Sequence, residues 1–423
     1  MDNKFSVNHL ANNIQTKKSP TFLAKLFKNA LLKKFKRLKL GQLILEDRDE
    51  TYIFGDTNSN MIAKVKILSP EFYVFIGSGG EMGAAEAYIA GYWQSDNLVN
   101  AIQIIFKNKS VLESLNSGLA KLATPINYFI HRKRQNTLLG SKKNILAHYD
   151  LSNEFYQLWL DETMTYSCGI FLDKNSTMKE ASVEKLDRFC RKLKLTEGDQ
   201  ILEIGTGWGS FAIHAAKHYG CKVTTTTISD AQFNYVSNLI EKEGLGSKIK
   251  LLNQDYRDLK GQYDKLVSIE MIEAVGTNYI SNFFNKSSSL LKPDGLMGLQ
   301  GITYNDQNFD VYKDSVDFTK KYIFPGSCLI SISQITDAIK FKTDLTLIDL
   351  EDITQHYATT LNRWRKKFMS VLPQVRQLGF SEAFIKMWEF YFIFCEAGFL
   401  ERNIGDVQLV FAKPEARDVQ ISN

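Results

Sequence analysis

The stretch Ile201-Leu-Glu-Ile-Gly-Thr-Gly-Trp-Gly209, continued by Ser210-Phe-Ala-Ile-His-Ala-Ala216, constrains this chain more than any other. Ile201, Leu202, Glu203 and Ile204 read as the end of a strand, and Phe211, Ile213, Ala215 and Ala216 offer one apolar face of a helix. Between them Gly205, Gly207 and Gly209 take every second Cβ out of a tight strand-to-helix turn. A ligand can then approach the backbone N–H groups that open the helix. A dinucleotide site needs G-x-G-x-x-G, with glycine at 210, and Ser210 stands there instead.

A chain of 423 residues with 44% apolar and 23% charged residues has material for two or three domains. No apolar run approaches the ~20 residues that span a bilayer. The N-terminus lacks the layout of a secretory signal, and five cysteines without a C-x-x-C pair favour reduced thiols over disulfides or a metal site. A cytoplasmic protein without a bound metal is expected. Residues 17–39 carry nine Lys or Arg and no acid, with Phe22, Leu23, Leu26, Phe27, Ala30, Leu31 and Phe35 at helical spacing. This fits a basic amphipathic helix lying on an anionic membrane, or equally a surface helix packed on its own domain. No fingerprint of a nucleic-acid module accompanies the charge, so no nucleic-acid partner is expected. The pattern divides the chain into a basic segment at 1–40, a small mixed domain at 41–130, a polar linker at 131–147 and a second domain at 148–423. In the small domain 42–45, 51–54, 63–67 and 72–76 read as strands.

Six motifs carry a resemblance. HYDLSNEFY (148–156), TYSCGIF (165–171), LEIGTGWG (202–209), QDYRDL (254–259), KYIFP (321–325) and GDVQLV (405–410) occur in the order found in cyclopropane-fatty-acyl-phospholipid synthases. The chain resembles that family over nearly its full length, GAAEAYIAGYW (83–93) being similar to its lipid-handling domain. The resemblance implies a class I methyltransferase: an α/β Rossmann-like seven-stranded sheet, preceded by a smaller mixed α/β domain. It also implies S-adenosyl-L-methionine as methyl donor, and the G-x-G-x-G spacing behind Glu203 agrees. Cofactor contacts map onto Tyr166, Ser167, Glu203, Gly205, Gly207, Gly209, Thr227, Ile228, Ser229, Gln232, Asp255 and Tyr256. The implied partners are unsaturated acyl chains of phospholipids at the inner membrane surface; the sequence does not fix the oligomeric state, and a homodimer is one open assembly.

In that family a cis double bond takes the methyl group, and the resulting cation loses a proton to a bound bicarbonate ion. The ion's ligands map by motif onto Cys168, Glu273, Gln300, Ile302 and Tyr357. Tyr166, Phe171, Tyr322 and Phe324 are candidates for facing the cation. Gln300 departs from the ring-forming pattern, which has histidine there. An amide donates a hydrogen bond but does not titrate near neutrality, so a methyl or methylene branch is an alternative to the cyclopropane. Methylation of a small amine, as in related plant enzymes, is a second alternative, and a membrane-binding protein without catalysis a third. His214 and His218 stand four apart but lack the intervening carboxylate of H-E-x-x-H, and are read as helix surface. Cys190, Cys221 and Cys395 are read as packed thiols.

Overall fold

The computed structural model describes residues 21–116 and 151–417. The expected linker at 131–147, the start of the basic segment and His148 to Asp150 lie outside them. Two compact units form. One gathers Met1–Lys133, Ser315–Ile323 and Leu361–Asn403, and the other Arg134–Asp314, Phe324–Thr360 and Ile404–Asn423. The segments 315–323 and 361–403, expected in the second domain from their place in the sequence, thus belong to the first unit.

In the first unit β1 (Gln42–Asp47), β2 (Glu50–Gly55), β3 (Ile62–Ile67) and β4 (Trp93–Ser95) form a sheet in the order β2-β1-β3-β4. Their alternating burial matches the period of two in the sequence. The fourth expected strand, 72–76, is wrong: it opens the Glu71–Ile89 helix. Phe72, Tyr73 and Ile76 are all buried, a spacing of one and four that a strand would split between two faces. The helix breaks at Gly80, where φ 60° and ψ −134° are open only to glycine. A Cβ there would stand 2.3 Å from Asn116 Oδ1.

The basic segment is helical over Phe22–Phe35, capped by Thr21 Oγ1 accepting from Ala24 N–H. Its apolar residues part into two sets. Ala24, Leu31 and Phe35 are buried, and Phe27 packs so closely that a Cβ on Gly77 would stand 2.3 Å from its ring. Phe22, Leu23 and Leu26 face outward, 80%, 52% and 52% exposed, on the same side as Lys25, Lys33 and Lys36.

The second unit holds the seven-stranded sheet: β5 (Gln200–Ile204), β6 (Lys222–Thr227), β7 (Ile249–Asn253), β8 (Tyr263–Ile269), β9 (Leu291–Tyr304), β10 (Thr346–Asp352) and β11 (Ile404–Ala412). The seven strands that the resemblance implies are present, in the order β10-β11-β9-β8-β5-β6-β7. β11 runs antiparallel to both its neighbours, and the β9-β8-β5-β6-β7 pairs are parallel. Two apolar layers cover the sheet. Phe189, Phe211, Ala215 and Val236 belong to one, and Phe283, Phe284, Ile335 and Ile339 to the other. From β5 the chain winds outward through β6 and β7, then returns to place β8 on the other side of β5. Ligands of open α/β sheets bind at such a reversal, beyond the carboxyl ends of the strands.

Candidate active site

The glycine turn leaves β5 at that reversal. Gly205, Gly207 and Gly209 have φ of 96°, 52° and 87°, so all three need the left-handed freedom of glycine. A Cβ on Gly207 would meet nothing within 4 Å, so the turn opens onto free space, whereas one on Gly205 would press on Met271. The cavity above is lined by Tyr166, Ser167, Lys185, Glu203, Gly205, Thr206, Gly207, Trp208, Thr227, Ile228, Gln232, Asp255, Tyr256, Glu270 and Met271, among others. It therefore collects ten of the twelve residues expected to contact the cofactor, leaving out Gly209 and Ser229.

Each of these is held by its neighbours. Glu203 sits opposite Thr225 in the β5–β6 register, and Thr225 Oγ1 donates to its Oε2 at 2.6 Å. Burial pushes the Glu203 carboxyl up to about 8. Thr227, Ser229 and Gln232 satisfy one another: Ser229 Oγ accepts from Gln232 N–H, and Ser229 N–H and the Gln232 side chain both bond Thr227 Oγ1. Ser229 is thus a helix cap that shapes the wall from behind. Asp255 is clamped by Arg257 through N–H, Nε and a guanidinium nitrogen, bonds that outweigh burial and hold it below the usual carboxylate value. Trp208 Nε1 donates to Asn153 Oδ1 at 2.9 Å, which ties the DLSNEFY segment to the turn. Thr206 Oγ1 is buried with no partner among the described residues.

Behind the cavity lie the residues expected to hold bicarbonate, and three of them converge on one carboxylate. Cys168 N–H donates to Glu270 Oε1 at 2.8 Å, Gln300 Nε2 to the same oxygen at 2.7 Å, and Tyr357 O–H to Oε2 at 2.6 Å. The other two pair with each other, Ile302 N–H donating to Glu273 Oε1 at 2.5 Å. Burial pushes Glu273 up to about 8, and its Oε2 has no partner among the described residues. Burial also raises Glu270, against the pull of its donors and of the buried Lys185, whose Nζ donates to Ser167 Oγ at 2.8 Å. The Cys168 thiol is buried and raised by burial and by nearby acids, so it is neutral.

Sequence reasoning missed Glu270, Lys185, Trp208 and Asp406. Two signals pointed to Glu270: it is the first residue past β8, and it stands beside the motif acid in Glu270-Met-Ile-Glu273. Its φ of 47° is left-handed, which costs a non-glycine residue ~1 kcal/mol or more and marks strained functional positions.

Of the aromatic candidates, Tyr166 stacks on Phe324 at 6.5 Å and joins Tyr156 and Trp159, and Phe171 stacks on His356. Tyr322 lies in the first unit, donating to Glu86 at 2.6 Å. His214 is not on the surface. It is buried and bonded through Nε2 to Asp187 at 3.2 Å, while His218 is exposed. No metal-binding group occurs among the described residues.

The family profile described as mycolic acid cyclopropane synthetase matches residues 137–409. Tuberculostearic acid methyltransferase UfaA1 of Mycobacterium tuberculosis is 35% identical over 334 residues, covering 77% of each chain. The cyclopropane-fatty-acyl-phospholipid synthase of Escherichia coli is 30% identical over 365 residues, 84% of this chain and 89% of its own. The crystal structure of mycolic acid cyclopropane synthase CmaA1 complexed with SAH and CTAB is similar with a TM-score of 0.60 and 29% identity, covering 64% of this chain and 98% of that one. Sheet order, glycine turn and these likenesses agree: the chain belongs to the cyclopropane synthase family of S-adenosylmethionine-dependent methyltransferases.

Proposed function

We propose that this enzyme methylates the double bond of unsaturated acyl chains in membrane phospholipids, and that the Glu270 carboxylate takes the proton the product must lose. The observation that carries the reading is the convergence of Cys168 N–H, Gln300 and Tyr357 on Glu270. Those groups were expected to hold a dissolved anion; in this reading the chain brings its own. A bicarbonate ion does not fit the same donors, because it would stand against a carboxylate already using them. Glu270 also lines the cavity of the glycine turn, where the new methyl group arrives.

The residues around the turn fit the cofactor. Glu203 accepts hydroxyl donors, Thr206 Oγ1 has no partner among the described residues, and Thr227, Ser229 and Gln232 close on each other to form a fixed edge. S-adenosylmethionine supplies an electrophilic methyl group when bound. Tyr166 and Phe324 offer ring faces to the positive charge that develops on the acyl chain. Glu270 then receives one proton from the added methyl carbon, and the freed electron pair closes a cyclopropane ring. A second reading, a methylene branch formed after a hydride shift on the acyl chain, is favoured by Gln300 and by the likeness to a tuberculostearic acid methyltransferase. Both products lose one proton to the same carboxylate.

The outward set Phe22, Leu23 and Leu26, flanked by Lys25, Lys33 and Lys36, supports reversible docking on an anionic inner leaflet. Among the described residues no helix is long and apolar enough to cross a membrane. The test is incubation with S-adenosylmethionine and vesicles of cis-unsaturated phospholipid, followed by mass spectrometry of the fatty acids. Gain of one CH2 unit with no residual double bond gives the cyclopropane. The same gain with the double bond retained gives the branch. Unchanged lipid in the presence of bound cofactor rejects the acyl acceptor.

A further inference from the structure

The Glu270 carboxylate has a neighbour with no role in the reading above. Asp406 stands on β11 with 0% exposure, and Gln300 Nε2, 2.7 Å from Glu270 Oε1, is 3.1 Å from Asp406 Oδ2. Gln300 Nε2 thus bridges one oxygen of each carboxyl. Two negative charges held together on one donor in a buried site repel each other, and a proton on one of them removes the repulsion.

Donors decide which one. Glu270 receives three, at 2.6–2.8 Å. Asp406 receives the longer Gln300 bond alone, and its Oδ1 has no partner among the described residues. A negative charge in that position would be buried with one long hydrogen bond, whereas a neutral acid needs no more. The surrounding charges agree. Lys185 is the buried cation that faces Glu270, Asp406, Cys168 and Asp161. Cys168 is a neutral thiol, Tyr357 a phenol donating to Glu270, and Glu273 a carboxyl raised to about 8 with one donor. The charge of Lys185 is already shared between Glu270 and the half-buried Asp161, which leaves none for a second buried anion at Asp406.

We propose that Asp406 is a protonated carboxyl at neutral pH and a positioning residue, donating its O–H to Glu270 and leaving Glu270 the single anion of the cluster. Burial and the adjacent acids hold Asp406 far above the ordinary aspartate value, in agreement. The protonation stands on its own; its catalytic consequence rests on Glu270 being the base.

Two measurements test this on the full chain. The first compares thermal unfolding of wild type and Asp406→Asn from pH 5 to pH 8. An unfolded Asp titrates near pH 3.9, so a folded state that keeps the proton loses stability as pH rises above that value, and asparagine does not. The melting temperature of Asp406→Asn relative to wild type is expected to climb across this range. A difference that is flat or falls overturns the protonation. The second measures kcat against pH for Asp406→Asn and Asp406→Leu. Leucine removes the donor and is expected to move the acid limb upward by about one pH unit or more, with asparagine moving it less. An unmoved limb in the leucine variant overturns the positioning role. If the leucine variant does not fold, the asparagine comparison still decides protonation. Glu270→Gln is measured in parallel: undiminished turnover there overturns the base assignment while leaving the unfolding comparison to decide Asp406.

Discussion

Glu270 is held against the ordinary preference of its residue type, in a left-handed conformation and with its carboxylate surrounded by donors. Such strain persists only where the surroundings over-determine it. Glu270→Gln keeps the shape and removes the basicity. Its turnover is expected to fall by about 100-fold or more, the usual span for a lost acid-base group, with cofactor affinity changed much less. Because burial raises Glu270, the acid limb of wild-type kcat should lie above the ordinary glutamate value near 4.3. Glu203 makes a separate prediction. Its carboxyl, at about 8, accepts hydroxyl donors more strongly when ionised, so cofactor binding should tighten from pH 6.5 to 8.5, by at most about tenfold per pH unit. Calorimetric titration checks the slope, and Glu203→Gln should bind more weakly and lose it. Glu203 was legible in the sequence because its role is set by distance from the glycines along the chain. Glu270 and Asp406 were not, because they meet through the β8–β9–β11 pairing, across more than a hundred residues.

At the scale of the element, period was a sound guide wherever one face was buried. β1, β2, β3 and β5 were readable from apolar or β-branched runs between turn residues, and the resemblance implied the seven-stranded sheet. The stretch 72–76 misled because a short, wholly apolar run fits a strand and a buried helix equally. What settled it was Pro70 at the helix start, an apolar set continuing to Ile89, and the close approach of the Phe22–Phe35 helix at Gly77. Gly80 is the element's weak point. Gly80→Ala puts a Cβ into a conformation closed to it and against Asn116, and should destabilise the first unit by at least about 1–3 kcal/mol in denaturant unfolding. Gly79→Ala, one residue away with free space around its Cβ, is the control and should cost little. Thr227, Ser229 and Gln232 were expected as cofactor contacts, but their hydroxyls and amide close on each other, so they fix the shape of a wall.

For the whole molecule, buried acids set the response to pH. Glu203 and Glu273 each rise from an unfolded value near 4.5 to about 8. The stability tied to them is therefore fully present below about pH 4.5 and is lost as pH rises through 8. The ligand-free protein should melt at a lower temperature at pH 8.5 than at pH 6, and Glu203→Gln should reduce that drop. Division into units was only partly legible. A sequence is read in order, whereas Ser315–Ile323 and Leu361–Asn403 join the first unit through side-chain contacts such as Tyr88 O–H to Glu389 at 2.8 Å and Gln103 to Glu401 at 2.7 Å. The outward apolar edge of the Phe22–Phe35 helix was visible as composition, but which residues of it face outward depends on packing. The convergence on Glu270 has a last consequence, for the surroundings in which the enzyme works. A base borrowed from solution is present only at the level the medium supplies, whereas a tethered one has an effective molarity fixed by the fold. Turnover in buffer stripped of carbon dioxide should equal turnover in buffer saturated with it, and the catalyst would be indifferent to the gas its host breathes.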